Sequence, residues 1–318
     1  MATESIDLNT FTASTFSERR PDLVDNFFGS APFWAWMRRR MSIKLQGGRN
    51  IKETSLYKGV TAKSFGKRTA LTGSFDTAIP DFASELTFEF SFNYAAANVS
   101  GVEEMLNDGP RQVFSIVDAT FQNAEISLVD QLSTQVNASG GGLDMDGFGN
   151  AISRNTGVTY GGGTRSTTAG TQGAAIRSAV EDTGVGALTL ALLNTAFGTC
   201  TVGQERPDLI VTTQTLKNNL WVLSQSSERN APEDTRDLGF SDLRFNGAAV
   251  TVDSHTVSGF INLLNTKWWR LYVHTRGDFR LRQPGSKVEQ WDSINQVIFV
   301  GDAVCVAPRL QGSMAGVS

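Results

Sequence analysis

The chain has 318 residues, enough for one large domain with insertions or for two modest ones. Hydrophobic residues make up 40%, which excludes disorder as the default; charged residues make up only 19%, and Gly, Thr, Ser and Asn are plentiful, a mixture that suits a β-containing protein with long loops. A net charge of −4 excludes binding to nucleic acid through overall basicity.

Residues 1–20 are polar and acidic and lack the apolar stretch of a secretory signal, and no run in the chain reaches the length of a membrane span. Residues 1–25 read as an extended arm. Ser30-Ala31-Pro32 can start a short helix, with Ser30 as cap and Pro32 in the first turn. Phe33, Trp34, Trp36, Met37 and Met41 follow, interleaved with Arg38-Arg39-Arg40. Three roles are open to these aromatics: docking on the chain's own core, anchoring the arm on a neighbouring subunit, or lying on a membrane surface. The segment is short and its flank acidic, which disfavours the last. Anchoring on a neighbour is the expectation.

Charge is unevenly placed. Between Arg38 and Arg68 there are ten basic residues and a single acid, Glu53, so this segment carries +9 and the remainder −13. Opposite signs on separate parts of one chain are what head-to-tail association of identical subunits can use. The candidate intersubunit contacts are therefore Phe33, Trp34, Trp36, Arg38, Arg39, Arg40, Lys52, Lys58, Lys63, Lys67 and Arg68.

Residues 45–82 hold scattered β formers among Gly47, Gly48, Gly59, Gly66, Gly73 and Pro80, and read as a long hairpin with arms at 51–58 and 86–94. In the second arm Leu86, Phe88, Phe90, Phe92 and Tyr94 alternate with Thr87, Glu89, Ser91 and Asn93, which predicts a half-buried strand with all five large side chains on one face. Ser100-Gly101-Val102-Glu103 fits a capping box. From Val113 the period changes: Phe114, Val117, Phe121, Ala124, Leu128, Leu132 and Val136 make one stripe of a helix of about seven turns, stopped by Gly140-Gly141-Gly142.

Residues 157–173 read as a long Gly/Thr/Ser-rich loop. Helices are predicted over 188–197 and 215–224, and strands over 208–213, 248–252, 260–264, 268–274 and 296–306. The fold class is α+β.

The search for chemistry finds little. Asp253 and His255 share a strand face but lack a third ligand, so they read as a structural polar pair, as does His274. Gly161-Gly162-Gly163-Thr164-Arg165-Ser166 has neither the spacing nor the lysine of a phosphate loop. Asp144, Asp146 and Gly147 match part of a calcium loop, but Asn155 stands where the acidic last ligand belongs. Trp268-Trp269 beside Lys267 and Arg270 could stack on bases or sugars, though a strand with one buried aromatic explains them as well. Cys200 and Cys305 read as buried structural thiols. No catalytic set, metal site or cofactor is expected, and the chain is not expected to be an enzyme.

The order of elements resembles the major capsid proteins of tailed bacteriophages with the HK97-type fold. The resemblance is carried by PDLIVTTQTL (207–216), LRFNGAAVTVD (243–253), INLLNTKWWRLYVH (261–274) and VIFVGDAVCVAPRLQG (297–312). It implies an N-terminal arm at 1–45, an E-loop hairpin with its base strand at 46–95, and a P domain at 96–173 with a spine helix over about 101–139. An A domain at 174–296 would follow, and residues 297–318 would return to the P domain. It further implies a structural subunit that forms hexamers and pentamers around packaged double-stranded DNA, in a virion assembled in the bacterial host cytoplasm. The implied partners are other copies, a scaffolding protein, a portal and a decoration protein; DNA would be contacted only non-specifically and no membrane is involved. Some relatives cross-link through a lysine in the E-loop; Lys63 and Lys67 stand there, with no motif to mark a partner. A compartment shell of the encapsulin kind, another virion component such as a tail-tube or decoration protein, and a polymer hydrolase are the alternatives.

Overall fold

The structure, a computed structural model, describes residues 32–59, 82–106, 116–138, 142–225, 243–282 and 292–317. Helix α1 (Pro32–Arg40) leads into β1 (Ser42–Leu45), then β2 (Asn50–Leu56) and β3 (Ala83–Glu89). After a break at Phe90 come β4 (Ser91–Ser100), the short helix α2 (Gly101–Leu106) and the long helix α3 (Ile116–Asn137). A compact segment follows, with α4 (Phe148–Ala151), β5 (Thr159–Tyr160), β6 (Gly163–Thr164) and α5 (Gln172–Ala175). The next run holds β7 (Val180–Asp182), α6 (Leu190–Cys200), β8 (Leu209–Thr212), α7 (Gln214–Gln225), β9 (Arg244–Phe245), β10 (Ala248–Val252) and β11 (Ile261–Leu264). The chain closes with β12 (Trp269–His274), β13 (Arg280–Arg282), β14 (Asp292–Cys305) and β15 (Gly312–Met314).

Two sheets organise these elements. In the first, the 14-residue β14 pairs antiparallel with β12 and β13, and along its other edge with β4 over ten residues from Asp292↔Ser100 to Gly301↔Ser91; β1 adds in parallel outside β12. The second sheet runs β7-β15-β11-β8-β10-β9, with β8 and β10 parallel and β8 and β11 antiparallel. Each sheet has its own apolar core. Helices α1 and α3 and the 145–176 segment close the first, while α6 and α7 close the second. Thr189 caps α6, accepting a hydrogen bond from Leu192 N at 3.2 Å.

Helix α3 keeps the predicted stripe where its side chains are described: Phe121, Ala124, Leu128, Leu132 and Val136 are buried, and Ile126, Ser127, Asp130 and Thr134 face outward. Of the expected spine helix over about 101–139, the structure describes α2 as far as Leu106 and α3 from Ile116 onward; residues 107–115 lie outside the described residues. Gly147 lets the following segment close against the end of α3. A Cβ there would lie 2.3 Å from both Gln135 O and Ala138 O, so only glycine fits.

The predicted 86–94 strand divides in two, and its buried face inverts. Leu86 and Phe88 of β3 are buried, as expected, and β3 pairs with β2 in the register Glu53↔Leu86 and Ile51↔Phe88. Past Phe90 the alternation turns over: Phe92 and Tyr94 are 73% and 62% exposed, while Ser91 and Asn93 point inward. The reason is polar. Ser91 Oγ donates to Gly301 O at 2.6 Å, and Asn93 Oδ1 accepts from Gln135 Nε2 of α3 at 2.9 Å. Those bonds satisfy the inward groups and leave both aromatics on the outer face.

The chain crosses between the sheets at 265–268 and again at 306–311, and Gln311 ties the two crossings together. Its buried side chain accepts from Asn265 N at 2.8 Å and from Trp269 Nε1 at 3.2 Å, and donates to Asn265 O at 3.3 Å and Ala307 O at 3.4 Å. Around it, Thr266 N donates to Asp208 at 2.7 Å, and Asn265, Lys267 and Trp268 all reach Glu205. These contacts give the Asn265-Thr266-Lys267-Trp268-Trp269 stretch its purpose: it is the bolt between two sheets, and Trp269 is the buried aromatic. The lysine's hydrogen bond holds the Glu205 carboxyl below the usual range.

β12, β13 and the start of β14, which fall within the 174–296 stretch expected as the A domain, pair in the first sheet. The C-terminus does not stay in the first sheet: β15 pairs antiparallel with β11 and in parallel with β7 in the second. Among the described residues no helix is long and apolar enough to cross a membrane. Both thiols are buried, which pushes Cys200 up to about 12 and Cys305 higher still.

Candidate assembly interface

The predicted contact residues divide into three groups. Phe33 and Trp34 are 1% and 0% exposed and belong to the chain's own core, so the expectation that they anchor on a neighbour is corrected. Helix α1 lies against β12 and α3. Trp34 meets Phe299 edge-on at 5.4 Å between centroids, and Phe33 meets Phe148 at 4.8 Å and Trp269 at 6.5 Å. Trp36 is half-buried and stacks on Phe33 at 6.0 Å.

The basic residues are partly answered inside the subunit. Asp278 takes both Arg38, at 2.8 Å, and Lys44, at 3.3 Å, and Arg38 also lies 4.5 Å over the Phe279 ring. Lys52 pairs with Glu85 at 2.9 Å, and the lone acid of the segment, Glu53, takes Arg270 at 2.6 Å and the Tyr272 hydroxyl. Arg39, Arg40 and Lys58 keep exposed side chains. Lys63, Lys67 and Arg68 lie outside the described residues. Charge available to a neighbour on this segment is thus smaller than the +9 of the sequence.

The groups considered for chemistry turn out to be joints. His255 Nε2 stands 2.6 Å from Asp130 of α3, while Nδ1 stands 3.0 Å from Ser133 Oγ and 3.2 Å from Asp253. Thr256 adds a bond to Asn137 at 3.1 Å, so the turn after β10 is tied to α3. Ser133 is fully buried and in no position to attack a substrate. Asp144 accepts from Gln135 at 2.8 Å and Asp146 from Asn150 at 2.6 Å. Among the described residues no cluster of three or more His, Cys, Asp or Glu could hold a metal ion.

A second buried centre was not foreseen. Asp302 accepts from Asp146 N at 2.9 Å and Ala303 N at 3.0 Å. Nearby, the Tyr160 hydroxyl donates to Cys305 O and accepts from Cys305 N at 2.9 Å, and Arg165 donates to Ile176 O at 3.1 Å and to Asn150 O while lying 5.2 Å over the Tyr160 ring. Burial raises the Asp302 carboxyl well above the usual range, and the like charge of Asp146 adds to this. Burial also raises Asp146, against the pull of Asn150 and Arg165.

A carboxyl whose pKa is higher folded than unfolded binds its proton more tightly when folded. Its contribution to stability is full below about pH 4 and is lost as pH rises through the folded value. Asp302→Asn keeps an acceptor oxygen for the two backbone N–H groups and removes the charge. The thermal midpoint of the variant, relative to the unaltered chain, is expected to rise between about pH 4 and pH 8. A difference that stays flat over that range would refute the assignment.

With this geometry in view, the fold is identified: the chain has the HK97-type capsid fold. Among solved structures it is similar to the capsid subunit of cyanophage A-1(L), at a TM-score of 0.67 with 13% identity over 91% of this chain and 93% of that one. It is also similar to the capsid of a native GTA particle (TM-score 0.58, 10% identity, 89% of this chain and 90% of that one). A third likeness is to the SrpI encapsulin of Synechococcus elongatus PCC 7942 (TM-score 0.54, 10% identity, 89% and 87%). No protein-family model matches the chain, and no curated protein matches it.

Phe92 and Tyr94 are the surface residues that the sequence reading placed wrongly. The only signal that could have flagged them is the polar pair Ser91 and Asn93 between them, whose partners Gly301 and Gln135 lie far along the chain.

Proposed function

We propose that this chain is a structural shell protein, the major capsid subunit of a tailed-phage-like particle. Copies form hexamers and pentamers that close an icosahedral head around packaged double-stranded DNA. The observation that carries this reading is the HK97-type fold spanning nine-tenths of the chain. Two sheets bolted at Gln311 and braced by α3 make a rigid wall element, as a shell requires. The half-buried His255 centre and the buried Asp302 centre are joints in that wall, consistent with a structural and not a catalytic role. Scaffolding, portal and decoration proteins would be its assembly partners in the host cytoplasm.

A compartment shell is the second reading, favoured by the likeness to the SrpI encapsulin. Electron microscopy of the purified protein, with and without co-expressed scaffolding candidates, tests both. Closed shells with rings of five and six subunits are the expected result, and nucleic acid or protein inside distinguishes phage head from compartment. Monomers or small rings under every condition would reject the shell function.

A further inference from the structure

Two acids meet where the 142–176 segment lies on β14, and among the described residues neither forms an ion pair. Asp302 of β14 is buried and accepts from the backbone N–H groups of Asp146, at 2.9 Å, and Ala303, at 3.0 Å. Asp146 is half-buried, and its own carboxyl accepts from Asn150 Nδ2 at 2.6 Å. The surrounding groups leave this pair as the place where a proton is lost. From β5 comes Tyr160, whose hydroxyl is tied to Cys305 N at 2.9 Å and Cys305 O at 3.2 Å; burial first, then Cys305 and Asp146, raise it well above its ordinary value. The Cys305 thiol is raised by burial as well. Arg165, after β6, stays a cation, but its hydrogen bonds run to the carbonyls of Asn150, Ala151 and Ile176, and Glu181 of β7 draws on its charge more than Asp146 does. Glu181 is itself held by Ser153 Oγ at 3.2 Å and by Arg154 N. On β12, Tyr272 stands opposite Asp302, and its hydroxyl is taken by Glu53, which Arg270 balances at 2.6 Å. From α3, Gln135 brings no charge and donates to Asp144 at 2.8 Å. Two acids thus answer to one shared cation, and ionising both sets like charges against each other in a dry site.

We infer that this pair is a proton-held latch: one proton shared by Asp146 and Asp302 keeps residues 146–151, with helix α4, seated on β14, and loss of that proton as pH rises unseats them. The inference does not rest on the shell reading. Asp302 is sealed in the sheet, so Asp146, at the edge of the site, is the carboxyl that turns to water. As it turns, its bond from Asn150 breaks and the Asp146 N–H leaves Asp302. The far end of the segment keeps its ties, because Tyr160 holds the Cys305 backbone through a hydroxyl that keeps its proton, and Thr87 N donates to Gly161 O at 2.9 Å. Burial raises both carboxyls, so the latch is closed at low pH and opens as pH rises through the folded values.

The test uses the full chain, held in one state of assembly across a series from about pH 5 to about pH 9. Infrared absorption reads the carbonyl band of protonated carboxyl groups. Backbone hydrogen exchange, corrected for the intrinsic rate at each pH, reads protection over 146–151. Asp302→Asn and the Asp146→Asn/Asp302→Asn double variant are followed beside the unaltered chain. The expected result is a protonated-carboxyl band that persists above about pH 6, where ordinary carboxyls have ionised, fades as pH rises further and is missing from the double variant. Over the same range protection at 146–151 falls at least about tenfold in the unaltered chain, holds at 157–165, and stays level at 146–151 in Asp302→Asn. Absence of the band above about pH 6, or a band that fades with no change in protection, would overturn the latch. An equal loss of protection in Asp302→Asn would also overturn it, by placing the titrating group elsewhere. Should a variant fail to fold, the unaltered chain decides alone: band and protection must change over the same pH range, and a separation between them sinks the inference.

Discussion

Replacing Gln311 with leucine is expected to destabilise the subunit by about 3–5 kcal/mol, read as a lower denaturation midpoint at unchanged slope. Leucine fills nearly the same space but offers no acceptor. The Asn265 N–H and the Trp269 Nε1–H would both lose their partner at a site that is 0% exposed. Each buried donor left unmade costs about 1–3 kcal/mol. The two donated bonds to Asn265 O and Ala307 O are lost as well, although at 3.3 and 3.4 Å they are the weaker pair. Because the side chain joins the two crossings between sheets, exchange protection should fall at 265–269 and 306–311 before it falls elsewhere. A loss below about 1 kcal/mol would mean that Gln311 is an ordinary core polar group and not the joint.

Trp34→Ala is expected to cost a similar amount, about 3–5 kcal/mol, through the cavity left under Phe299. Trp34→Phe should cost less than half as much. Among the described residues the buried indole N–H has no hydrogen-bond partner, so phenylalanine removes an unsatisfied group while keeping most of the ring. The readout is unfolding of the unassembled subunit. If Trp34→Ala subunits kept full stability and failed only in assembly, the residue would belong to a neighbour contact after all.

This pair of predictions marks where sequence reasoning held and where it failed. Helix α3 was legible because a three-four spacing of apolar residues has one physical meaning over 22 residues. Strands β8, β10, β11 and β12 were legible as short apolar or alternating runs bounded by turn residues. The short strands β1, β7, β13 and β15 were not, because three or four residues carry no period; their pairing partners define them. The aromatic cluster at 33–36 announces burial but not the molecule that buries it, and composition pointed toward a neighbour where packing shows the chain's own β12 and α3. The basic stretch was visible as a charge count, yet its neutralisation by Asp278 and Glu85 depends on contacts made across the fold. At β4 the pattern was sound and its direction wrong: alternation gives two faces, and only the polar partners of Ser91 and Asn93 choose between them.

The two cysteines have a consequence for covalent chemistry. Cys200 and Cys305 are the chain's complement of thiols, and both are sealed in apolar surroundings that disfavour the reactive thiolate. Folded subunits therefore offer thiol-directed reagents no native cysteine target. A thiol introduced at a solvent-facing site, such as Leu143 at 87% exposure, would be the single addressable position on each subunit. Repeated over every copy of a closed particle, it would display a dye, a metal chelate or a peptide in a regular array, without blocking groups or removal of the native cysteines.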